Sequence, residues 1–149
     1  MKRFNIKRKQ IGAAAIEFAL IASIFFTILI GILEMGRVLF YMNSAAEATR
    51  LGARIAVVCN KDEAALKAIK TNMKKRLSIL ADNNINVNYE PAPCTQATCN
   101  TINVAITGVS VTTFIPLIPD SIKTFNLPNF STTLPRESMD STDNSSLCI

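Results

Sequence analysis

The stretch KRKQIGAAAIEFALIASIFFTILIGIL, residues 7–33, sets three bases ahead of a long apolar run that holds one carboxylate, Glu17. Ile11 to Leu33 gives 23 residues with that single ionisable side chain. At about 1.5 Å of rise per residue, a helix of this length crosses a hydrocarbon core of about 30 Å. Lys2, Arg3, Lys7, Arg8 and Lys9 precede Glu17 without any acid. The positive-inside rule therefore puts the N-terminal end in the cytoplasm and everything after Leu33 outside the inner membrane. Beyond the first twelve residues eleven bases face eleven acids, so the formal charge of +5 belongs to the N-terminal tip. That distribution fits orientation at a membrane and no nucleic-acid partner. The part outside lipid would be about 100 residues, near the size at which a core becomes marginal.

Outward from this run, EMGRVLFYMNSAAEATRLGARIAVV (34–58) has no Pro, and Leu39, Met42, Ala46, Thr49, Ala53 and Ala56 recur at spacings of three and four. Much of that face is small, which lets another helix approach closely. One helix of about 45 residues, about 65 Å long, is expected, half inside the membrane and half outside. Asn60 and Glu63 form a capping-box-like pair for a second helix. Leu66, Ile69, Met73, Leu77 and Leu80 mark its apolar face, Lys67, Lys70, Lys74 and Lys75 lie largely elsewhere, and ADNN (81–84) ends it.

The period then changes to two. Ile85, Val87 and Tyr89 alternate with asparagines, PAPCTQATCN (91–100) is a loop, and Ile102, Val104 and Ile106 alternate again. Val109 and Val111 continue in the opposite phase, with Gly108 at the change, where a bulge is expected. TTFIPLIP (112–119) reads as a packed loop because Pro116 and Pro119 break it, with Phe114–Pro119 either packing on the long helix or serving as a docking patch. FSTTLPRES (130–138) reads as a third strand, confined by Pro135 to an edge. The expected fold class is α+β: a long N-terminal transmembrane and amphipathic helix, a second amphipathic helix, and a small antiparallel sheet of about three strands.

With no His in the chain, histidine catalysis and His-ligated metal sites are excluded. No P-loop, metal-ligand cluster or nucleophile motif is present, so neither an enzyme nor a cofactor is expected. Cys59, Cys94, Cys99 and Cys148 suggest disulfides in an oxidising compartment, against reduced core cysteines or, more remotely, a four-cysteine zinc site without any CxxC pair. Four cysteines permit three connectivities. Cys94 and Cys99 share one loop and could pair, leaving Cys59 with Cys148; that second bridge would close a loop of about 90 residues and contribute about 4 kcal/mol on the chain-entropy model.

Glu17 is the residue that ordinary membrane segments leave unexplained. A secretory signal needs a shorter apolar region and a nearby cleavage site, but the nearest A-x-A is Ala46-Glu47-Ala48. A simple anchor fits the length and leaves the carboxylate without a purpose, because such groups usually have a partner. Cleavage after Gly12 would supply one. Ala13 would then carry an α-amine, with a reference pKa near 8 and so largely cationic at neutral pH. Glu17 lies about 6 Å further along a helix axis, which favours pairing with a neighbouring subunit's amine and so sets subunit register.

The segment IGAAAIEFALIASIFFTILIGILEMGRVLFYMNSAAEATRLGARIAVV resembles the TadE-like family of tight-adherence (Flp-type) pilus biogenesis, within the type IV pilin class. The residues that carry the resemblance are Gly12, Glu17, Phe18, Glu34, Gly36, Arg37, Ala48, Arg50, Gly52, Ala53 and Arg54. A weaker echo lies in Phe114–Pro119 and in Leu134-Pro135-Arg136-Glu137, which departs from the family's Met-Arg-x-Glu. The resemblance implies a type IV pilin-like fold and a minor pilin or pseudopilin cleaved by prepilin peptidase between Gly12 and Ala13. Its implied partners are other major and minor pilins and the assembly platform in the inner membrane. It implies residence in the bacterial inner membrane before assembly, then in the pilus at the cell surface. Residues 1–12 would be a basic leader, 13–33 the transmembrane half of the helix, 34–58 its extramembrane half, and 59–149 a small α+β extracytoplasmic domain with disulfides. Glu17 and Phe18 would act in assembly and register. Glu34, Arg37, Arg50 and Arg54 would either bind assembly partners or form a solvated face of Glu34–Arg37 and Glu47–Arg50 neighbours. The alternative is an uncleaved, membrane-anchored periplasmic adaptor or binding protein.

Overall fold

A computed structural model of the chain describes residues 7–115, 119, 123–142 and 145–148. The chain divides into two compact units, Met1–Arg37 and Val38–Ile149. Helix α1, Lys7–Val58, runs unbroken through 52 residues and begins inside the expected leader. No helix breaker interrupts it, since the first proline is Pro91.

In the first unit α1 exposes Ile16, Phe18, Ile21, Ile24, Phe25 and Phe26 together. Apolar side chains all around a helix mark a segment whose solvent is not water. The helix is long and apolar enough to cross a membrane, and none of its most apolar 18-residue window is buried within the chain. The hydroxyls of Ser23 and Thr27 donate to the carbonyls of Leu20 and Ser23 at 2.8 and 2.7 Å, so both polar groups are satisfied by the helix itself.

In the second unit α1 buries Ala45, Ala48, Thr49, Gly52, Ala53 and Ala56. Leu39, assigned to this face by its spacing, is half exposed. Thr49, Ala53 and Ala56 of the expected face are buried and Met42 packs against the core, and the buried stripe extends to Ala45, Ala48, Gly52, Ile55 and Val57. Gly52 shows why small residues are needed: a Cβ there would lie 2.6 Å from Met73 Sδ and 3.2 Å from Val104 Cγ1. The second helix and the sheet both reach α1 at this point.

Helix α2 is Glu63–Arg76. Its cap is Asp62, whose carboxylate accepts from the Ala65 amide at 2.7 Å, in place of the expected Asn60. Asn60 is occupied elsewhere, accepting from the Ser141 amide at 3.1 Å and from the Gln96 side-chain amide. The helix also ends earlier than expected, at Arg76, and Leu77 and Leu80 are buried from the segment beyond it. A short 3-10 turn, Asp82–Asn84, leads into the sheet.

Strands β1 (Ile85–Glu90), β2 (Thr101–Ile106) and β5 (Phe130–Pro135) form an antiparallel sheet in the order β1-β2-β5. Register stacks Ile85, Ile106 and Phe130 in one row, then Val87, Val104 and Thr132, then Tyr89, Ile102 and Leu134. This inner face joins the buried core with α1 and α2, and Thr132 Oγ1 donates to the buried Thr49 Oγ1 at 3.1 Å. Pro135 ends the edge strand β5, where its missing N–H costs no ladder bond.

Gly108 does not form a bulge. It turns the chain out of the sheet at φ 67, a conformation that favours glycine, while Asn84 Nδ2 donates to the Thr107 and Gly108 carbonyls. The shifted phase of Val109 and Val111 belongs to a separate two-stranded ribbon of β3 (Ser110–Thr112) and β4 (Thr124–Asn126). In the expected packed loop, Phe114 is 84% exposed, and Pro116–Ile118 lie outside the described residues.

Two disulfides tie the unit, Cys59–Cys148 and Cys94–Cys99. Cys148 sits in the short helix α3, Ser145–Cys148. The tail that precedes it satisfies the end of α1: the amides of Glu137 and Met139 donate to the Val57 carbonyl at 3.3 and 3.2 Å. Met139 takes φ 46 to do so and buries its side chain.

Candidate functional site

The candidate residues at the N-terminus all lie on the first unit's helix. Gly12 and Ala13 are in mid-helix, and a Cβ at Gly12 would meet nothing within 4 Å. Glu17 is exposed and makes no hydrogen bond or ion pair with any described residue. Phe18, beside it, is 74% exposed. Ala13 and Glu17 are four residues apart, so they share a helix face with about 6 Å of axial rise between them. A carboxylate with no partner among the described residues, on an otherwise apolar stretch of helix, is costly in an apolar surrounding unless a partner is supplied.

Further along, Arg37 donates from Nη2 and Nε to Glu34 Oε2 at 2.7 and 3.1 Å, and both side chains are largely covered. The charges cancel locally, which lowers the cost of keeping them next to exposed Leu33, Met35 and Phe40. In the second unit Arg50 pairs with Glu47 at 2.7 Å, with both side chains well exposed. Such a pair is worth little to stability. Arg54 is exposed and has no ion pair among the described residues. The structure therefore brings Glu34 and Arg37 together and leaves Arg50 and Arg54 on an open face of α1. Ala48 and Ala53 are buried, and Gly36 is exposed with nothing within 4 Å of a Cβ.

Glycine, a carboxylate, an apolar helix, an E-x-G-R pair and a small-residue stripe thus follow one another on a single helix. Residues 12–54 match the family of TadE-like proteins. The TadE-like segment covers Gly12, Glu17, Phe18, Glu34, Arg37, Arg50, Gly52 and Arg54, and it points to a protein associated with the tight-adherence pilus. It stops at Arg54, so the later echoes at Phe114–Pro119 and Leu134–Glu137 fall outside it. No curated protein and no solved structure matches the chain.

Gly52 is the residue in the TadE-like segment whose purpose the helical spacing passes over. Its signal was a glycine within the alanine-rich turns of residues 45–56, which marks close approach by a neighbour. The described residues beyond the segment hold no group of three or more His, Cys, Asp or Glu placed to bind a metal. They instead form a scaffold: Lys61 Nζ donates to the Cys94 carbonyl at 2.8 Å and lies 5.1 Å from the centre of the Tyr89 ring. Arg136 Nη1 donates to the Gln96 carbonyl at 2.6 Å. Burial, and secondarily the charge of Asp62, push the Tyr89 phenol above its ordinary range. Its hydroxyl has no hydrogen-bond partner among the described residues.

Proposed function

We propose that this chain is a minor pilin, or pseudopilin, required for assembly of a tight-adherence pilus. In this reading it enters the inner membrane with its N-terminus in the cytoplasm and residues 59–149 outside. Prepilin peptidase cuts between Gly12 and Ala13, and the carboxylate of Glu17 then pairs with the new amine of a neighbouring subunit. Phe18 and the exposed apolar side chains of α1 pack against other major and minor pilins and the assembly platform. The role is structural, without catalysis or cofactor.

The observation that carries this reading is the coincidence of the match over residues 12–54 with an exposed apolar helix bearing one carboxylate that has no partner among the described residues. A neighbour's amine would meet Glu17 only when the subunits stand in axial register, so a costly buried charge becomes a positioning device. Cleavage needs the helix to open at Gly12, and glycine is less favourable than alanine in a helix by about 1 kcal/mol. One observation favours the alternative of an uncleaved anchored adaptor: α1 runs through Gly12–Ala13 without a break.

Intact mass and N-terminal sequencing of the membrane-extracted protein, with and without the peptidase, separate the two. A peptidase-dependent start at Ala13 is expected. A start at Met1 would leave the anchored adaptor, and a start beyond Ala48 would mean a secreted protein. Glu17→Gln should still be cleaved while piliation falls; normal piliation would contradict the pairing.

A further inference from the structure

The three-stranded sheet turns one face to the core and the other away from it. On the outward face β1 presents Asn86, Asn88 and Glu90, and β2 presents Thr101, Asn103 and Ala105. Strand β5 completes the face with Ser131, Thr133 and Pro135. The positions on β1 and β5 are exposed, and those on the central strand are half-buried between them. The face is about 17 Å long and about 10 Å wide, from six residues along a strand and two gaps between strands. Six of its nine side chains end in an uncharged amide or hydroxyl, two are the small Ala105 and Pro135, and the one charge, Glu90, stands at a corner.

A face that only has to be wetted is ordinarily charged. In this unit α2 follows that rule with exposed Lys67, Lys75 and Arg76. The sheet does not, and it places three asparagines on strands, where that residue is disfavoured. Two of the amides are fixed in place. Asn103 Nδ2 donates to Thr133 Oγ1 at 2.7 Å, and Asn86 Nδ2 donates to Thr107 Oγ1 at 3.0 Å. Each of these amides keeps its carbonyl oxygen and one N–H unused by that bond, and Thr133, having accepted, keeps its own O–H to donate. Donors and acceptors therefore stand side by side, about 5 Å apart from strand to strand, on a backbone anchored to the core.

The chemistry of the face selects its ligand. Anions and nucleic acid need bases, and the face has none. A protein interface needs a buried aromatic or aliphatic centre, and Ala105 and Pro135 are too small to make one. A hydroxyl both donates and accepts, and it is satisfied where neutral groups of both kinds adjoin. We infer that this face binds a neutral polysaccharide laid along the strands, with Asn88, Asn103 and Thr133 as the central contacts. Rigid amides lose little freedom on binding, which favours the contact. Neutral hydrogen bonds are individually weak, so a short oligosaccharide binds in the millimolar range. The inference stands on the sheet alone, and neither its success nor its failure bears on cleavage after Gly12.

The test uses the full chain in phosphatidylcholine nanodiscs, which present no sugar headgroup. The probes are three neutral hexasaccharides, cellohexaose, maltohexaose and chitohexaose, with an alginate hexasaccharide as the acidic comparison. At least one neutral probe should bind and shift the side-chain amide resonances of Asn86, Asn88 and Asn103. Its affinity should be unchanged between about 20 mM and about 0.5 M salt, because no charge is involved. Asn88→Ala with Asn103→Ala should weaken binding about tenfold while the unfolding transition stays in place. Lys67→Ala, on α2, should leave binding unchanged. Failure of all three neutral probes to bind would overturn the inference, as would binding that shifts other residues and spares these amides. Equal affinity in the double-alanine variant would overturn it too, and so would binding of alginate alone.

Discussion

Between Ala13 and Arg37, α1 exposes Ile16, Phe18, Ile24 and Phe25, and a Cβ on Gly31 or Gly36 would meet nothing within 4 Å. Between Val38 and Val58 the same helix buries alanines, and a Cβ on Gly52 would collide with Met73. Both stretches are apolar and helical by composition, yet their small residues have opposite circumstances. In the first stretch the described residues set no limit on size. In the second, size is fixed by two elements of the same unit. A helix pattern alone reports which residues avoid water, and the neighbour decides which of them must be small.

The strongest test of this contrast concerns the bridge that ties the tail to the second stretch. Cys59→Ser with Cys148→Ser opens a link between residues 89 apart, and should cost about 4 kcal/mol in denaturant unfolding of the detergent-solubilised chain. Removing Cys94–Cys99, only five apart in sequence, should cost about half as much, at about 2 kcal/mol. Equal losses would mean that the long bridge adds little to the second unit.

Gly52→Leu should cost about 3 kcal/mol by overpacking against Met73 and Val104. Gly31→Leu should leave the same unfolding transition in place. A destabilising Gly31→Leu would show that the first stretch is packed within the chain after all. Thr49→Val should cost about 1 kcal/mol, because it takes the hydrogen-bond partner from Thr132.

The smallest effects are those of pH, and all should belong to the second unit. Burial raises the Tyr89 phenol, so its folded form favours the neutral group. That contribution is complete below the unfolded phenol's pKa of about 10 and is lost as pH rises through the folded value. Tyr89→Phe should flatten the alkaline limb of the stability profile, and a limb unchanged in that variant would assign it elsewhere. Asp82 is lowered, so its contribution is present above about pH 4 and lost as pH falls through the folded value. Lys74→Ala should shrink that acid limb without moving the alkaline one.

Much of this was visible in residue order. The run Ile11–Leu33 announces a helix without help from context, because length and apolarity suffice. The alternation at Ile85–Tyr89 and Ile102–Ile106 announces strands, because side-chain period follows from the pleat. The candidate residues Gly12, Glu17, Arg37 and Arg54 were legible through a short motif that lies on one helix. Where sequence reading erred, a competing partner was responsible. Asn60 has the chemistry of a cap, but Ser141 and Gln96 engage its side chain, and Asp62 caps instead. Val109 and Val111 have the alternation of a continuing strand, but Gly108 directs them to pair with β4.

The sequence by itself determined the apolar helix, its lone carboxylate, the basic tip and the strand-forming segments, because each depends on neighbours within a few residues. Tertiary structure alone decided that β2 lies between β1 and β5 and that Gly52 is the point of close approach. Those depend on which distant residues reach the same place, and the cost of an overlapping atom or an unsatisfied amide is set only there.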